Sequence, residues 1–179
     1  MEVGKNLFSP PTLTSKSKEV FKLVRVLFVC LGNICRSPMA EAVLRDMVAK
    51  EGLEQEIEVD SAGTGGWHKG QPPHKGTLEI LERYDISSDK LIARQVISAD
   101  LTDFQYIIVM DDSNMEDLLA FGVADATTYV GKLCDFLENF VYDNVPDPYY
   151  TGDFDETYEL VIAGCRGLLE FIKKRCNIA

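Results

Sequence analysis

A short apolar run, followed at once by a cysteine, a tight loop and an arginine, most constrains how this chain can fold. Val26–Val29 is apolar throughout, as expected of a buried strand in a parallel sheet. Cys30 follows it, and Arg36 lies six positions further on. Ser37 and Pro38 then suit a helix start, Ser as the N-cap residue and Pro as the first helical residue. The segment is therefore predicted to run from strand through loop to helix.

The loop between this strand and helix is predicted to bind an anion, because backbone N–H groups and the positive helix end converge there. Gly32 and Asn33 tolerate left-handed backbone, which a loop that turns its N–H groups inward needs. A cysteine aimed at that point is held as the nucleophilic thiolate, and an arginine beside it can bind two oxygens of an oxyanion. These residues predict phosphoryl transfer through a phosphocysteine, with carrier, reductase and phosphatase all open.

The composition is that of an ordinary globular chain with an acidic balance. Its 179 residues suffice for one domain with a full core, and 46% of them are hydrophobic. The net charge of -11 argues against a nucleic-acid partner. No apolar run approaches the roughly 20 residues of a membrane span, so no membrane partner is expected. Five cysteines are an odd number in a chain that needs no disulfides, which favours reduced thiols and a cytoplasmic location.

The chain divides into an N-terminal extension over residues 1–22 and one domain over residues 23–179. The extension is rich in Ser, Thr, Lys and Pro and shows neither strand nor helix periodicity, so it is predicted to be flexible. It lacks the apolar core of a secretory signal. A tag, a tail and a transit peptide stay open as interpretations of it.

From residue 23 onward, segments of strand and helix character alternate. This alternation predicts an α/β fold, a three-layer doubly wound sheet of four parallel strands with helices on both faces. Ligands of such sheets bind beyond the carboxyl ends of the strands, where the loop after strand 1 lies. The predicted strands are 23–29, 57–60, 104–110 and 127–130; the predicted helices are 37–50, 74–84, 113–121, 133–140 and 155–174, with a proline-bearing loop at 145–152.

Five segments of the chain resemble the low-molecular-weight protein tyrosine phosphatases, and bacterial members most closely. The resemblance spans roughly residues 24 to 175. Its motifs occur in the order and spacing of the family, which makes the resemblance more specific than a C-x5-R match alone. The segments are VCLGNICRSPMAEA at 29–42, SAGTGGWHKGQPPHKGT at 61–77, ARQ at 93–95, MDDSN at 110–114 and DPYYTG at 147–152.

The resemblance implies a hydrolase mechanism in which Cys30, Arg36 and Asp147 are catalytic. Cys30 would attack phosphorus, while Arg36 and the loop N–H groups would hold the equatorial oxygens. Ser37 would donate a hydrogen bond to the cysteine sulfur. Asp147 would protonate the departing phenol and then activate water, although an aspartate before Pro148 also suits an ordinary turn. No cofactor and no metal are needed by this chemistry. The phosphate-binding loop comprises Leu31, Gly32, Asn33, Ile34, Cys35 and Ser37.

The resemblance also assigns residues around this centre. Trp67, Tyr149 and Tyr150 would line a deep slot for a flat aryl ring, although packing of surface loops would also explain them. Cys35 could form a reversible disulfide with Cys30 and so protect the nucleophile from irreversible oxidation, or it could simply fill the loop.

The same resemblance predicts the support of the loop. Asn33, Ser37 and Ser61 would form a hydrogen-bond network that fixes it. Asp111 would orient Arg36 or serve helix entry. In many family members a histidine just ahead of the Ala-Arg-Gln joins the network. Here residues 89–95 read DKLIARQ, so this histidine is missing.

Related and unrelated functions stay open beside the phosphatase. Arsenate reductases of this fold need a closely spaced cysteine pair, and Cys165 and Cys176 are eleven positions apart. Protein-arginine phosphatases carry threonine where this chain has Ile34, whose apolar side chain favours an aryl group. A phosphate-binding module or phosphocysteine carrier would dispense with Asp147.

The expected partners follow from the phosphatase interpretation. Phosphotyrosine proteins would be the substrates, and phosphate and vanadate the inhibitors. The protein would be a monomer or a weak dimer.

Overall fold

The structure, a computed structural model, describes residues 22–139 and 141–179. Four strands form one parallel sheet in the order β2-β1-β3-β4. This open α/β sheet confirms the predicted fold class. The predicted extension lies outside the described residues except for Lys22. The strands are β1 (Val24–Cys30), β2 (Ile57–Gly63), β3 (Tyr106–Val109) and β4 (Tyr129–Lys132).

Six α-helices and one 3-10 turn connect and cover the strands within the described residues. The two short helices α3 and α5 were not predicted, since four residues are too few for a helical period. The predicted helix at 133–140 is only a 3-10 turn over Leu133–Phe136. The helices are α1 (Arg36–Lys50), α2 (Lys75–Arg83), α3 (Asp100–Asp103), α4 (Asp112–Leu119), α5 (Pro148–Thr151) and α6 (Phe154–Cys176).

The central strand β1 shows how the sheet is covered on both faces. Val26 and Phe28 join an apolar cluster with residues of α1, α2 and α6. Leu27 and Val29 join a second cluster with residues of α3 and α4. All four side chains are fully buried. This double burial explains why the strand is an unbroken apolar run and does not alternate with polar residues.

The strand order places the loop after β1 at a switch point of the sheet. From β1 the chain crosses to β2 on one side, and later returns to β3 on the other. Crevices of this kind, outside the carboxyl ends of the strands, bind ligands in open α/β sheets. Helix α1 begins directly after the loop. Of the helices in the described ranges, none has the length and apolar character that a membrane span requires.

Candidate active site

The loop after β1 curls around the sulfur of Cys30. Asn33 has a φ of 54°, in the left-handed region, and its backbone N–H donates to the Cys30 Sγ atom at 3.3 Å. Gly32 does not have a positive φ, so the expectation of a left-handed role at this position was wrong. A Cβ atom there would lie 3.1 Å from the ring of His68. Gly32 therefore provides space for a neighbouring loop, whereas Asn33 makes the turn.

Ser37 faces Cys30, and it does not cap the helix. Helix α1 begins at Arg36 with Cys35 in the N-cap position, and no side chain caps it. The prediction of Ser37 as N-cap was therefore wrong. Its Oγ atom lies 3.0 Å from the Cys30 Sγ atom and accepts a hydrogen bond from Asn33 Nδ2 at 2.8 Å. The hydroxyl is engaged by the loop, and this tertiary contact outweighs its local capping preference.

The guanidinium of Arg36 is 2% exposed and is held by three acceptors. Nη1 donates to Asp111 Oδ2 at 2.5 Å and to the Val145 carbonyl at 3.0 Å, and Nη2 donates to Asp147 Oδ2 at 3.0 Å. Burial opposes its charge, but Cys30, Asp111 and Asp147 together raise the pKa of Arg36 above its ordinary value. Nε is buried and has no partner among the described residues.

The two carboxylates that hold Arg36 are themselves fixed by short helices. Asp111 Oδ1 accepts from the Asn114 N–H at 2.7 Å at the start of α4. Asp147 Oδ1 accepts from the Tyr149 N–H at 3.1 Å at the start of α5. Each aspartate therefore caps a helix with one oxygen and faces the guanidinium with the other. Helix entry and arginine contact, which the sequence left as alternatives for Asp111, occur together.

A cavity of about 260 Å³ opens above Cys30 and Arg36. Trp67, Tyr149 and Tyr150 also line the cavity, and because Trp67 and Tyr150 are 70% and 75% exposed, they form its rim. Ile34, which is buried, also lines the cavity, as does His68, which was not among the predicted site residues. The sequence indicated this only through the position of His68 directly after Trp67.

Aromatic contacts hold the Tyr149 and Tyr150 side of the rim. The rings of Tyr149 and Tyr150 meet edge to face at 5.3 Å. His74 stacks on Phe154 at 5.0 Å and meets Tyr149 edge-on at 6.3 Å. His74 also caps α2 by accepting from the Gly76 N–H. The tyrosines therefore stand on a supported base while their rings stay accessible.

A network of polar side chains lies behind the loop, on the side away from the cavity. The Asn33 amide donates to Ser37 Oγ and, at 2.9 Å, to Ser61 Oγ. Its Oδ1 atom accepts from the Arg94 N–H at 2.9 Å. Ser61 in turn donates to Glu41, a residue that the sequence analysis missed. The structure thus brings Asn33, Ser37 and Ser61 together without a histidine.

Cys35 lies in the same loop and is 3% exposed. Burial, with smaller effects from Cys30 and Asp147, raises the pKa of its thiol to about 12, against an opposing effect of Arg36. All five cysteines are free thiols. In residues 22–139 and 141–179, His, Cys, Asp and Glu form no group that could hold a metal ion.

The fold and the site define an open α/β protein with a C-x5-R loop at the carboxyl end of its first strand. A family model described as low molecular weight phosphotyrosine protein phosphatase matches residues 25–177. The chain belongs to this family, as the motifs predicted, and it is a phosphoric monoester hydrolase.

Relatives and solved structures agree with this assignment. The chain is 54% identical over 152 residues to low molecular weight protein-tyrosine-phosphatase YfkJ of Bacillus subtilis, covering 85% of this chain and 97% of that protein. It is 42% identical to PtpA of Staphylococcus aureus, with 87% and 98% covered. The crystal structure of YfkJ superposes with a TM-score of 0.83 over 86% of this chain and 97% of that chain, at 53% identity. The Drosophila arginine phosphatase DARP gives 0.75 over 83% and 97%, at 32% identity.

Proposed function

We propose that this chain is a protein-tyrosine phosphatase that works through a phosphocysteine intermediate, with Asp147 as general acid and base. One observation carries the proposal most directly. Cys30 lies at the inner end of a cavity, beside an arginine that is ion-paired to Asp147 at 3.0 Å. A nucleophile, an oxyanion-binding cation and a proton donor therefore converge on one point. The names of the relatives YfkJ and PtpA support the same activity.

The first step transfers the phosphoryl group from tyrosine to sulfur. The Cys30 thiolate attacks phosphorus, the bond from phosphorus to the phenolic oxygen breaks, and the Asp147 carboxyl gives its proton to that oxygen. Arg36 and the loop N–H groups bind the equatorial oxygens, where charge accumulates in the transition state. Ser37 donates to the sulfur and favours its departure as thiolate in the second step.

The second step releases phosphate. Asp147, now a carboxylate, takes a proton from a water molecule whose oxygen attacks the phosphocysteine. The bond from sulfur to phosphorus breaks, inorganic phosphate leaves and the Cys30 thiolate is restored. Neither step requires a redox partner or a metal ion. Activity is therefore expected to be insensitive to chelators and inhibited by vanadate and by inorganic phosphate.

The shape of the cavity favours an aryl ester. The exposed rings of Trp67 and Tyr150 and the buried sulfur of Cys30 line the same cavity, so a long, flat phosphotyrosine side chain can contact the rings while its phosphate meets the sulfur. Shorter phosphoserine and phosphothreonine would lose contact with the rim. Ile34 lines the inner cavity and offers an apolar surface to a ring, whereas a phosphoarginine guanidinium would need polar partners there. The likeness to DARP keeps arginine phosphatase activity as a second candidate.

A side-by-side turnover assay tests the substrate class. Phosphotyrosine, phosphoserine and phosphoarginine peptides of one sequence are compared by phosphate release, with arsenate reduction as a fourth channel. We expect phosphotyrosine to be cleaved fastest, by about 100-fold over phosphoserine, because the wrong substrate forfeits both the aryl contacts and the alignment. Faster cleavage of phosphoarginine would replace the tyrosine assignment, and an Ile34→Thr variant shows whether this residue sets the preference.

Gly65 provides a second test, because the Trp67 ring lies directly against it. A Cβ atom at Gly65 would lie 1.8 Å from Trp67 Cζ3, so Gly65→Ala must displace the ring. We expect KM for an aryl phosphate to rise by about fivefold through the lost aromatic contact, with kcat less affected. In a Trp67→Ala background the same substitution should have no further effect on KM. A full additional rise in that background would show that Gly65 acts by another route.

The cellular setting follows the proposed activity. Phosphotyrosine proteins are the proposed substrates, and a cytoplasmic location is the proposal that the five free thiols favour. The Cys30–Cys35 disulfide stays a prediction. Because the pKa of Cys35 is raised, this thiol would react chiefly once Cys30 has been oxidised to a sulfenic acid.

A further inference from the structure

Glu41 lies on helix α1 behind the phosphate-binding loop, where the residue is 5% exposed. Its Oε2 atom accepts a hydrogen bond from Ser61 Oγ at 2.5 Å, and its Oε1 atom pairs with Arg45. We propose that Glu41 is a positioning residue that orients the hydrogen bonds behind the loop and thereby sets the reactivity of the Cys30 thiol. The inference deepens the proposed function and rests on it for its catalytic consequence.

The side chain of Asn33 leaves only one arrangement of protons around it. Its Oδ1 atom accepts from the Arg94 N–H at 2.9 Å, which fixes which end of the amide carries the nitrogen. The nitrogen then donates one proton to Ser37 Oγ at 2.8 Å and the other to Ser61 Oγ at 2.9 Å. Both hydroxyls are acceptors toward the amide, so each must donate its own proton elsewhere.

Each serine has one near acceptor for that proton. For Ser61 it is the Glu41 carboxylate at 2.5 Å. For Ser37 it is the Cys30 sulfur at 3.0 Å, which is closer than the Ala62 carbonyl at 3.5 Å. The carboxylate at one end and the sulfur at the other therefore receive the two hydroxyl protons, with the Asn33 amide between them. Such connected hydrogen bonds strengthen one another in a buried site.

Charged groups around Glu41 set its pKa, and therefore the pH range in which this arrangement of hydrogen bonds is present. Arg45 faces it from α1, Asp60 from β2, and Arg94 from the segment that follows α2. Burial raises the pKa of Glu41 to about 7, an effect that Asp60 increases and that the Ser61 hydrogen bond, Arg45 and Arg94 oppose. Arg94 is itself paired to Asp60 and Asp100, so Arg45 is the cation directly bonded to Glu41.

Protonation of Glu41 would reverse the direction of the first hydrogen bond. A neutral carboxyl can donate a hydrogen bond to Ser61 Oγ. The hydroxyl proton of Ser61 would then turn away from Glu41 and compete for space with the proton of the Asn33 amide. The Asn33 amide would then lose Ser61 as an acceptor. Asn33 would no longer hold its own backbone N–H and Ser37 in place, and both of these groups contact Cys30. The thiolate of Cys30 is therefore best supported when Glu41 is charged, above about pH 7.

The test measures the rate of Cys30 alkylation by iodoacetamide from pH 5 to pH 9, read out on the Cys30 peptide by mass spectrometry. We expect the wild-type profile to contain an inflection near pH 7, where Glu41 loses its proton. Glu41→Gln should remove this inflection and slow alkylation at pH 8 roughly fivefold, the effect of one hydrogen bond. Arg45→Met should move the inflection to higher pH, because it removes the cation that opposes protonation.

Asp46→Asn is the matched control. Asp46 is also on α1 and also forms an i,i+4 ion pair, with Lys50, but it has no hydrogen bond to the network. It should leave the profile unchanged. A wild-type profile in Glu41→Gln, or an equal loss in Asp46→Asn, would overturn the proposal. Alkylation needs no substrate, so its result can be interpreted even if the protein fails to cleave phosphotyrosine. If Glu41→Gln does not fold, the shift of the inflection in Arg45→Met tests the proposal instead.

Discussion

Replacing Cys30 with serine should abolish phosphotyrosine turnover, lowering kcat on the order of 10⁴-fold or more. A serine hydroxyl is far less acidic than a thiol, so the variant lacks an anionic nucleophile at neutral pH. The substitution is nearly isosteric, and the hydroxyl can keep its contacts with Ser37 and the Asn33 N–H. Substrate binding through Arg36 should therefore survive. Phosphate release measures the first expectation, and calorimetric titration with a phosphotyrosine peptide measures the second.

Cys176→Ser serves as the matched control for this experiment. Cys176 is a partly exposed free thiol at the end of α6, where its sulfur lies 3.6 Å from the Tyr106 hydroxyl. It should turn over phosphotyrosine at the wild-type rate. Chelator-sensitive turnover that persists in Cys30→Ser would contradict the phosphocysteine mechanism and point to an activated water as nucleophile.

Local patterns were enough to predict the sheet and the loop that follows β1. An unbroken apolar run in β1 indicates burial on both faces, and C-x5-R followed by Ser-Pro indicates an anion site at a helix start. These features depend on residues adjacent in sequence. The carboxyl-end position of the loop follows from the alternation of strands and helices, without knowledge of any distant contact.

What the sequence did not reveal depends on contacts between distant residues. The local pattern favoured Ser37 as an N-cap, although the family resemblance also implied its contact with Cys30, and in the structure Cys30 and Asn33 engage its hydroxyl. Glu41 was not among the predicted site residues, because only β2, with Ser61, gives it a role. The missing histidine was visible in the sequence, but the residue that bonds Ser61 instead was not. Tertiary partners therefore decided the function of polar side chains whose local preferences pointed elsewhere.

The second large effect is expected at Asp147. Asp147→Asn should lower kcat for phosphotyrosine by about 100-fold, within the usual range for loss of a general acid. Asparagine suits the N-cap of α5, and its Oδ1 atom can still accept from the Tyr149 N–H, so the rim should stay in place. The loss should shrink for p-nitrophenyl phosphate, because nitrophenolate is a better leaving group and needs no proton.

Asp153→Asn isolates the proton transfer from the capping role. Asp153 lies six positions on and caps α6 by accepting from the Glu156 N–H at 2.8 Å, but it has no contact with Arg36. It should keep the wild-type kcat for both substrates. An equal loss for phosphotyrosine and p-nitrophenyl phosphate in Asp147→Asn would assign this residue to the positioning of Arg36. A loss confined to the poor leaving group instead requires a proton delivered to the phenolic oxygen, because the 3.0 Å contact with Arg36 is the same for both substrates.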